Sequence, residues 1–309
     1  MSEEIAERKL RAPAKAVKSF SLLRVWTIAT STVTQLVRMK TFYFLLAFAV
    51  VVIAAGNFNI PSTPAKELSM IKKVSFGSMD LFAWLFAIVS TALLIPRDLE
   101  DRTLYTILSK PVRRIEYLLG KLCGVLVVVG VSLLAMWAIC SLVIFSRESL
   151  YVADEMALIQ EDGRYGAEEV EAQIALIREQ GLRPELGFAV LASFFKAAVI
   201  ASVTIFISTF ASSSLFTIIT SVLVFLIGHA HSMAANFWLQ ETENNLFVQL
   251  LLKLFKILIP NFQIFSFSEG IVQGEAVVAA LVGQMGALTV GYIVVFLFLS
   301  LLTFVDKEF

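Results

Sequence analysis

The residue types that bind metals are few in this chain and poorly spaced for that role. The two histidines, His229 and His231, are two positions apart, so on a helix their side chains point to different faces. The two cysteines, Cys123 and Cys140, fall in one apolar run and are about 100° out of register on a helix. We therefore expect no disulfide framework, no copper site and no cofactor in this chain, with the histidines as polar groups at a membrane surface.

Residue patterns that bind nucleotides or catalyse hydrolysis are not found either. No G-x-x-x-x-G-K-[ST] stretch occurs in the 309 residues, so the chain lacks the loop with which many ATPases hold phosphate. No Ser/His/Asp set and no pair of carboxylates falls within the long apolar runs. We expect that the chain by itself is not an enzyme.

Lys196 is the one charge well inside a predicted membrane span. A charge at that depth is costly and is by default a candidate for function. Alternatively, its ammonium group reaches an interface or a polar neighbour, and its role is structural. Asp80, near the end of another apolar run, is expected at the membrane surface.

The composition is that of an integral membrane protein. Hydrophobic residues make up 58% of the chain and the mean hydropathy is +0.81, whereas soluble domains are about 45–50% apolar. A helix needs about 20 apolar residues to cross the hydrocarbon core. Six runs of suitable length predict one all-α membrane domain over 1–309, with spans at about 42–58, 76–96, 118–146, 187–211, 213–235 and 278–305.

Several segments flank these runs. Residues 14–40 contain Leu23 and Trp26 in an apolar stripe at helical spacing, which predicts an amphipathic helix in the inner membrane interface. A helix packed on a soluble partner is the alternative. We expect a loop over 59–75, an acidic helical insertion over 147–186, and short helices in the outer leaflet over 237–275.

The distribution of charge predicts the orientation of the chain. Residues 1–40 hold eight Lys/Arg against three acids, and residues 97–121 hold six against four. Residues 147–185 hold four Lys/Arg against ten acids. Because positive charge is retained on the cytoplasmic side, both termini and segment 97–121 are expected in the cytoplasm, and the acidic insertion outside it. The lysines of the 59–75 loop oppose this assignment.

Residues 97–121 form a long polar stretch of mixed charge between two uncharged apolar runs. Leu99, Leu104 and Leu108 make an apolar stripe among the charges, and Pro111 ends the helical pattern. An amphipathic helix tied to two spans can transmit force from a soluble partner to both; an ordinary charged loop is the alternative. Three basic residues near its end are expected among the lipid headgroups: Arg113, Arg114 and Lys121.

This stretch resembles the coupling region of the permease subunits of type-2 ABC transporters. That region has acidic residues, an R-T or G-T step, a Leu-rich turn, a K-P-V-x-R step and L-L-G-K at the start of the next span. The resemblance places a cytoplasmic coupling helix at 97–117 and an elbow helix at 14–40. The coupling residues that it implies are Glu100, Asp101, Arg102, Thr103, Leu104, Tyr105, Leu108, Lys110, Pro111 and Arg114.

The sequence departs from the common pattern at two positions. Arg102 stands where Gly is usual, and Arg113 replaces the Ser of the K-P-V-S-R step. The form R-T-L-Y-T-I-L-S-K-P-V is most similar to permeases grouped under multicopper enzyme maturation. The copper label of that group does not carry over, because the chain shows no copper ligands.

The resemblance implies a permease subunit of an ATP-driven exporter in the inner membrane of a bacterium. A separate subunit would bind ATP and Mg and dock under the coupling helix, and a second permease, identical or paralogous, would complete the transporter. Membrane lipids are expected partners, and nucleic acid is not. The alternatives are an ion-coupled secondary carrier, which would need paired intramembrane acids or related halves, and a membrane scaffold or assembly factor.

Overall fold

The computed structural model describes residues 20–55, 63–100, 112–162, 167–211, 213–230, 260–267, 270 and 279–305. Within these ranges the protein is all-helical, with no strand, which confirms the predicted class. The α-helices follow in chain order as α1 (Leu22–Val37), α2 (Lys40–Ala55), α3 (Pro64–Glu100), α4 (Arg114–Asp162), α5 (Ala167–Glu179), α6 (Leu186–Phe210), α7 (Ser214–His229) and α8 (Ala279–Val305). A 3-10 helix, Phe262–Phe267, precedes α8.

The six predicted spans are not confirmed, because fewer helices among the described residues are long and apolar enough to cross a membrane. Four are long and apolar enough, in α3, α4, α6 and α8. Helices α1 and α2 pass the same test only together, and they are bent by 67° at their junction, as a broken span or a re-entrant loop. The predicted span 213–235 is represented by α7, which has 16 residues and is shorter than a usual span. The described residues therefore support four or five spans.

Helix α3 begins earlier than the hydropathy pattern suggests. The loop predicted over 59–75 is wrong for residues 64–75, which are the first turns of this 37-residue helix. Pro64 occupies the first helical position, where its missing N–H costs nothing, and Glu67 lies in the first turn, where the helix dipole favours negative charge. These local signals start the helix, although the residues that follow are too polar to be recognised as membrane-spanning.

Helix α4 also continues beyond its predicted end. It has 49 residues, about 73 Å at 1.5 Å per residue, so it extends well past a bilayer. Position 147 is therefore not a helix boundary, and the first part of the acidic insertion is the end of α4. Helix α5 packs against this extension through three buried residues at helical spacing: Val170, Ile174 and Ile177.

Helix α6 is the centre of the bundle and packs against α3, α4, α7 and α8. Many of its buried side chains are small, including Ala189, Ala197 and Ala201, which lets neighbouring helices approach closely. Its buried hydroxyls bond to backbone carbonyls of the same helix, as Ser202 does to Val199 at 2.7 Å. The hydroxyls of Thr204, Ser208 and Thr209 likewise donate to backbone carbonyls of α6, and these side chains are buried.

Helix α1 packs along α4 through a face different from the predicted stripe. Val25, Ala29 and Leu36 are buried against the bundle, whereas Leu23 is 78% and Trp26 64% exposed. Large apolar side chains left exposed on a membrane-associated helix are suited to contact lipid. The apolar stripe predicted from the sequence therefore marks the exposed side of α1. The side that packs against the bundle is formed by other residues, Val25, Ala29 and Leu36.

Helix α7 follows α6 after a short turn and packs against it in the antiparallel direction. The Ser213 hydroxyl accepts a hydrogen bond from the Phe216 N–H at 3.2 Å, which caps the helix start. At the other end, a Cβ at Gly228 would lie 2.5 Å from the Pro260 carbonyl oxygen, so the glycine is required for this contact. Most of the predicted outer-leaflet segment 237–275 lies outside the described residues.

Candidate functional site

The segment predicted to couple the chain to a partner is described only at its two ends. Helix α3 ends at Glu100, whose side chain is not described, and Arg114 is the first residue of α4. The remaining predicted coupling residues lie outside the described residues: Asp101, Arg102, Thr103, Leu104, Tyr105, Leu108, Lys110 and Pro111. What the structure adds is the packing of the two helix ends that hold this segment.

A buried ion pair joins these two ends. Lys121 Nζ of α4 lies 2.7 Å from Asp98 Oδ2 of α3, and the two side chains are 7% and 8% exposed. The same carboxylate oxygen accepts a hydrogen bond from the Tyr117 hydroxyl at 2.7 Å. Lys121 also donates to Gln35 Oε1 of α1 at 3.2 Å, and its ammonium lies 5.7 Å from the centre of the Tyr117 ring.

The burial of Lys121 corrects its predicted place among the lipid headgroups. A buried ammonium is tolerated only when it is paired and hydrogen-bonded. Asp98 supplies the opposite charge and Gln35 a further acceptor. The position of Lys121 near the start of an apolar run indicated the membrane surface, but the facing carboxylate on α3 makes burial possible.

Glu116 forms a second polar junction at the same level. Its side chain is fully buried and accepts hydrogen bonds from the backbone N–H of Ser21 at 2.8 Å and of Arg113 at 3.0 Å. Arg24 of α1 adds an ion pair of 2.8 Å. The carboxylate therefore fixes the start of α1 to the start of α4.

Close backbone packing supports these polar contacts. A Cβ at Gly120 would lie 2.6 Å from Ile28 Cβ, and one at Gly124 would lie 2.5 Å from Thr32 Cβ. Only glycine leaves room for α1 at this distance, and the two glycines are one helical turn apart on α4. Helix α1 is thus held on α4 by shape as well as by charge.

We name these residues the coupling-end network: Gln35 and Arg24 of α1, Asp98 of α3, and Glu116, Tyr117 and Lys121 of α4. It connects three helices directly at the ends of segment 101–111. Because the contacts are short and buried, a displacement of either helix end must move the others or break a buried charge pair. The arrangement can transmit a mechanical displacement; it contains no group poised for covalent chemistry.

Lys196, the predicted intramembrane charge, lies in a second buried ion pair. Its ammonium is 2.8 Å from Asp80 Oδ2 of α3, with side chains 4% and 23% exposed respectively. Asp80, for which we predicted a place at the membrane surface, lies within α3 and contacts α6 through this pair.

A third group of polar contacts marks the opposite end of α3. Lys72 donates to Gln180 Oε1 at 2.9 Å, and Glu148 accepts from the Leu182 N–H at 3.2 Å. Lys72 and Asp98 are 26 residues apart in α3, about 39 Å along a straight helix axis. This separation is close to the thickness of a bilayer with its headgroups, about 40–45 Å. Asp80, eight residues from Lys72, lies about 12 Å inside that end.

The described residues contain no cluster of three or more His, Cys, Asp or Glu side chains that could hold a metal ion. Cys123 and Cys140 are both free. The centre of the His229 ring lies 6.0 Å from that of Phe225, with the two ring planes tilted by 31°, and His231 lies outside the described residues. In the part of the chain that is described, the charged pairs, and no metal site, are the candidates for function.

The ion pairs were not predicted, but the sequence holds a weak signal for one of them. Lys121 and Asp98 bracket the same polar stretch, so their proximity follows if α3 and α4 are antiparallel neighbours. No comparable signal identifies Asp80 as the partner of Lys196, because the two are 116 positions apart.

Comparison with known protein families gives a match over nearly all of the sequence. The family model described as "ABC-2 family transporter protein" matches residues 26–309, almost the whole chain. The curated proteins that were compared include none with significant similarity.

Proposed function

This chain belongs to the ABC-2 family of transporter proteins and is a multi-pass membrane permease component, and we propose that it is the permease subunit of an ATP-driven exporter. The family match carries this proposal. In the proposed assembly a separate ATP-binding subunit supplies ATP and Mg, since this chain has no phosphate-binding loop. Two permeases, identical or paralogous, and two ATP-binding subunits make up the transporter.

The coupling-end network supports a role in transmitting force. The ATP-binding subunit is proposed to dock on segment 97–117, with the residues from Glu100 to Arg114 forming the contact. Asp98 and Lys121 then join the two helices that leave this surface, and Glu116 joins them to α1. A push on the segment would reach α1, α3 and α4 together, because buried charge pairs resist separation.

The proposed orientation places the coupling-end network and both chain termini in the cytoplasm. The excess of Lys and Arg in residues 1–40 and 97–121 supports this side, and the acidic residues of 147–185 support the opposite side for α5. The membrane is proposed to be the inner membrane of a bacterium. Helix α1 serves as the elbow helix, with its exposed Leu23 and Trp26 in contact with lipid.

A narrower assignment rests on the sequence of the coupling segment. Residues 102–112 are most similar to permeases grouped under multicopper enzyme maturation. We propose membership of that subgroup without its copper chemistry, since the described residues hold no metal cluster. The substrate is therefore not assigned from the subgroup.

An ion-coupled carrier is the second candidate, and the Asp80–Lys196 pair is the observation that favours it. Intramembrane charge pairs are common in such carriers. The family match weighs against this candidate, because ABC transporters obtain energy from ATP. The two functions differ in whether transport persists when ATP hydrolysis is blocked and an ion gradient is supplied.

The proposed function is tested by purifying the tagged chain in mild detergent and identifying the proteins that accompany it. We expect an ATP-binding subunit in stoichiometric amount, with ATPase activity in the eluate. Replacing Leu104 and Leu108 by Glu should uncouple ATP hydrolysis from transport without preventing membrane insertion. Ser109→Glu, a charge added at a polar position of the same segment, is the control. A pure preparation without any ATPase would contradict the proposal.

A further inference from the structure

A cavity of about 450 Å³ lies between α4 and α6. Both helices line it with four residues at positions i, i+3, i+4 and i+7, so each helix contributes one face. On α4 the pattern runs from Gly130 through Leu133 and Leu134 to Trp137, and on α6 it runs from Gly187 to Phe194. The volume falls within the range of sites that bind small molecules, about 300–1,000 Å³.

The cavity has a closed floor and an open rim. Leu133 and Val190 are buried and form the floor, whereas Leu134 is 58% and Phe188 37% exposed and form the rim. A Cβ at Gly187 would meet no atom within 4 Å, so the absence of a side chain at this position leaves part of the space empty. The cavity is therefore a groove on the side of two membrane-spanning helices, and its opening faces the bilayer.

The position of the groove along the helices places it within one leaflet. Segments 130–137 and 187–194 are each about 10 Å long at 1.5 Å per residue. Half the thickness of the hydrocarbon core is about 15 Å. Pro184, which lines one end of the groove, follows Gln180 by four residues, and Gln180 accepts the hydrogen bond from Lys72. The groove therefore begins beside the polar end of the bundle that lies opposite the coupling-end network, and it extends towards the middle of the membrane.

A guanidinium group lies at the polar end of the groove. Arg183 directly precedes Pro184, its side chain is 39% exposed, and its contact with Glu179 is exposed and 3.9 Å long. Such exposed pairs contribute little, so this guanidinium can bind a phosphate group instead. Every residue that lines the groove is a glycine, a proline, or an apolar or aromatic residue. A cation above an apolar groove complements the phosphate and the acyl chain of a glycerophospholipid.

We propose that the groove between α4 and α6 holds one acyl chain of a membrane glycerophospholipid whose phosphate binds Arg183. A chain that fills the groove gives its lining the dispersion contacts that an empty groove lacks. The phosphate contact then fixes the lipid at one depth. Because Leu133 and Val190 close the floor, the groove is not a path through the bundle, and the lipid is a bound structural component and not the transported substrate. This inference does not depend on the proposed exporter function.

The test measures quenching of tryptophan fluorescence by bromine atoms on acyl chains. The variant W26F/W84F/W238F leaves Trp137, which lines the groove, as the single tryptophan. The full-length chain in detergent micelles is titrated with phosphatidylglycerol that carries dibrominated chains. We expect saturable quenching at a low mole fraction of this lipid, because one chain occupies a fixed site. The reporter W84F/W137F/W238F leaves Trp26, which is 64% exposed on α1 and should be quenched only in proportion to the brominated lipid.

Gly187→Leu fills the groove from within. We expect it to raise the half-saturating mole fraction about tenfold or more, equivalent to about 1.4 kcal/mol. Gly187→Ala fills less of the space, should give a smaller rise, and serves if the leucine variant does not fold. Gly291→Leu, on α8, is the matched control, because a Cβ there also meets no atom within 4 Å but lies outside the groove.

Arg183→Gln tests the phosphate contact. We expect it to weaken binding of the brominated phospholipid about fivefold, by the loss of one basic contact near the membrane surface. Binding of a dibrominated monoacylglycerol, which has no phosphate, should not change. Arg178→Gln, an exposed arginine on α5, is the control and should leave binding of both lipids unaltered.

Quenching of Trp137 in simple proportion to the lipid, as for Trp26, would overturn the proposal, as would saturable quenching that both Gly187 variants leave unchanged. Unaltered phospholipid binding by Arg183→Gln would overturn the assignment of the phosphate to this residue. Leu134→Cys in a cysteine-free background tests a second copy of the chain as the occupant, and disulfide-linked dimers in a bilayer would overturn the lipid. These results do not depend on an ATP-binding subunit, so failure of this inference and failure of the exporter function are distinguishable.

Discussion

Asp98 and Lys121 form a 2.7 Å ion pair between the last turn of α3 and the first turns of α4, so the two ends of segment 101–111 are fastened to each other. The pair is shielded from solvent and is reinforced by Tyr117 and Gln35. The two helix ends that flank segment 101–111 are therefore joined to each other and do not move independently. A partner that binds the segment acts on both helices.

Removing one charge of this pair should be more damaging than removing both. We expect Lys121→Met to lower the free energy of unfolding by about 3 kcal/mol or more, because it removes the buried ammonium group that lies 2.7 Å from the Asp98 carboxylate. The double variant D98N/K121M should recover much of that loss. Detergent-titrated unfolding measures both. Arg183→Met is the control, since its pair with Glu179 is exposed and 3.9 Å long, and should contribute less than about 1 kcal/mol. Equal losses for the single and double variants would contradict this account.

Glu116→Gln should loosen the start of α1. The glutamine amide keeps one oxygen acceptor but presents an NH₂ group where three donors now converge, from Ser21, Arg24 and Arg113. We expect faster labelling of a cysteine placed at Ser21, in a background with Cys123 and Cys140 replaced by Ala. Glu171→Gln, an exposed carboxylate on α5, is the matched control and should leave labelling unchanged. Unaltered labelling in Glu116→Gln would show that the carboxylate does not hold α1.

Gly124→Ala should separate α1 from α4. The added methyl group would lie 2.5 Å from Thr32 Cβ and 2.9 Å from the Ala29 carbonyl oxygen, so the helices must move apart. Overpacking of this kind costs about 1–3 kcal/mol, which should appear as a lower unfolding temperature and weaker coupling of ATPase to transport. Gly291→Ala is the control, because a Cβ there meets no atom within 4 Å. Identical unfolding temperatures for the two variants would contradict the conclusion that close packing at Gly124 holds α1 against α4.

Cysteine labelling tests the orientation. In the background without Cys123 and Cys140, a cysteine at Ser213 should react with a membrane-impermeant maleimide only from the cytoplasm, and one at Glu171 only from outside. Both positions are exposed, so neither requires local unfolding to react. The reverse pattern would invert the topology and would place the coupling-end network on the wrong side for an ATP-binding subunit.

Regular apolar runs were the easiest part of the fold to predict. The run at 278–305 corresponds to α8, Ala279–Val305, because hydropathy is a local property and this run has no charge. The start of α3 was missed because its first residues are not an apolar run. Residues 64–75 are polar enough to break the hydropathy signal, but they continue a helix that the bundle and α5 stabilise.

The sequence alone determined the membrane class, the helical composition and the coupling motif that leads to the family, since these depend on local residue order. Only the tertiary structure decided which charges meet. Lys121 with Asp98, Glu116 with Arg24, and Lys196 with Asp80 each join different helices. A buried charge is stable only beside its partner, and that distance depends on how helices pack, which hydropathy and periodicity do not encode.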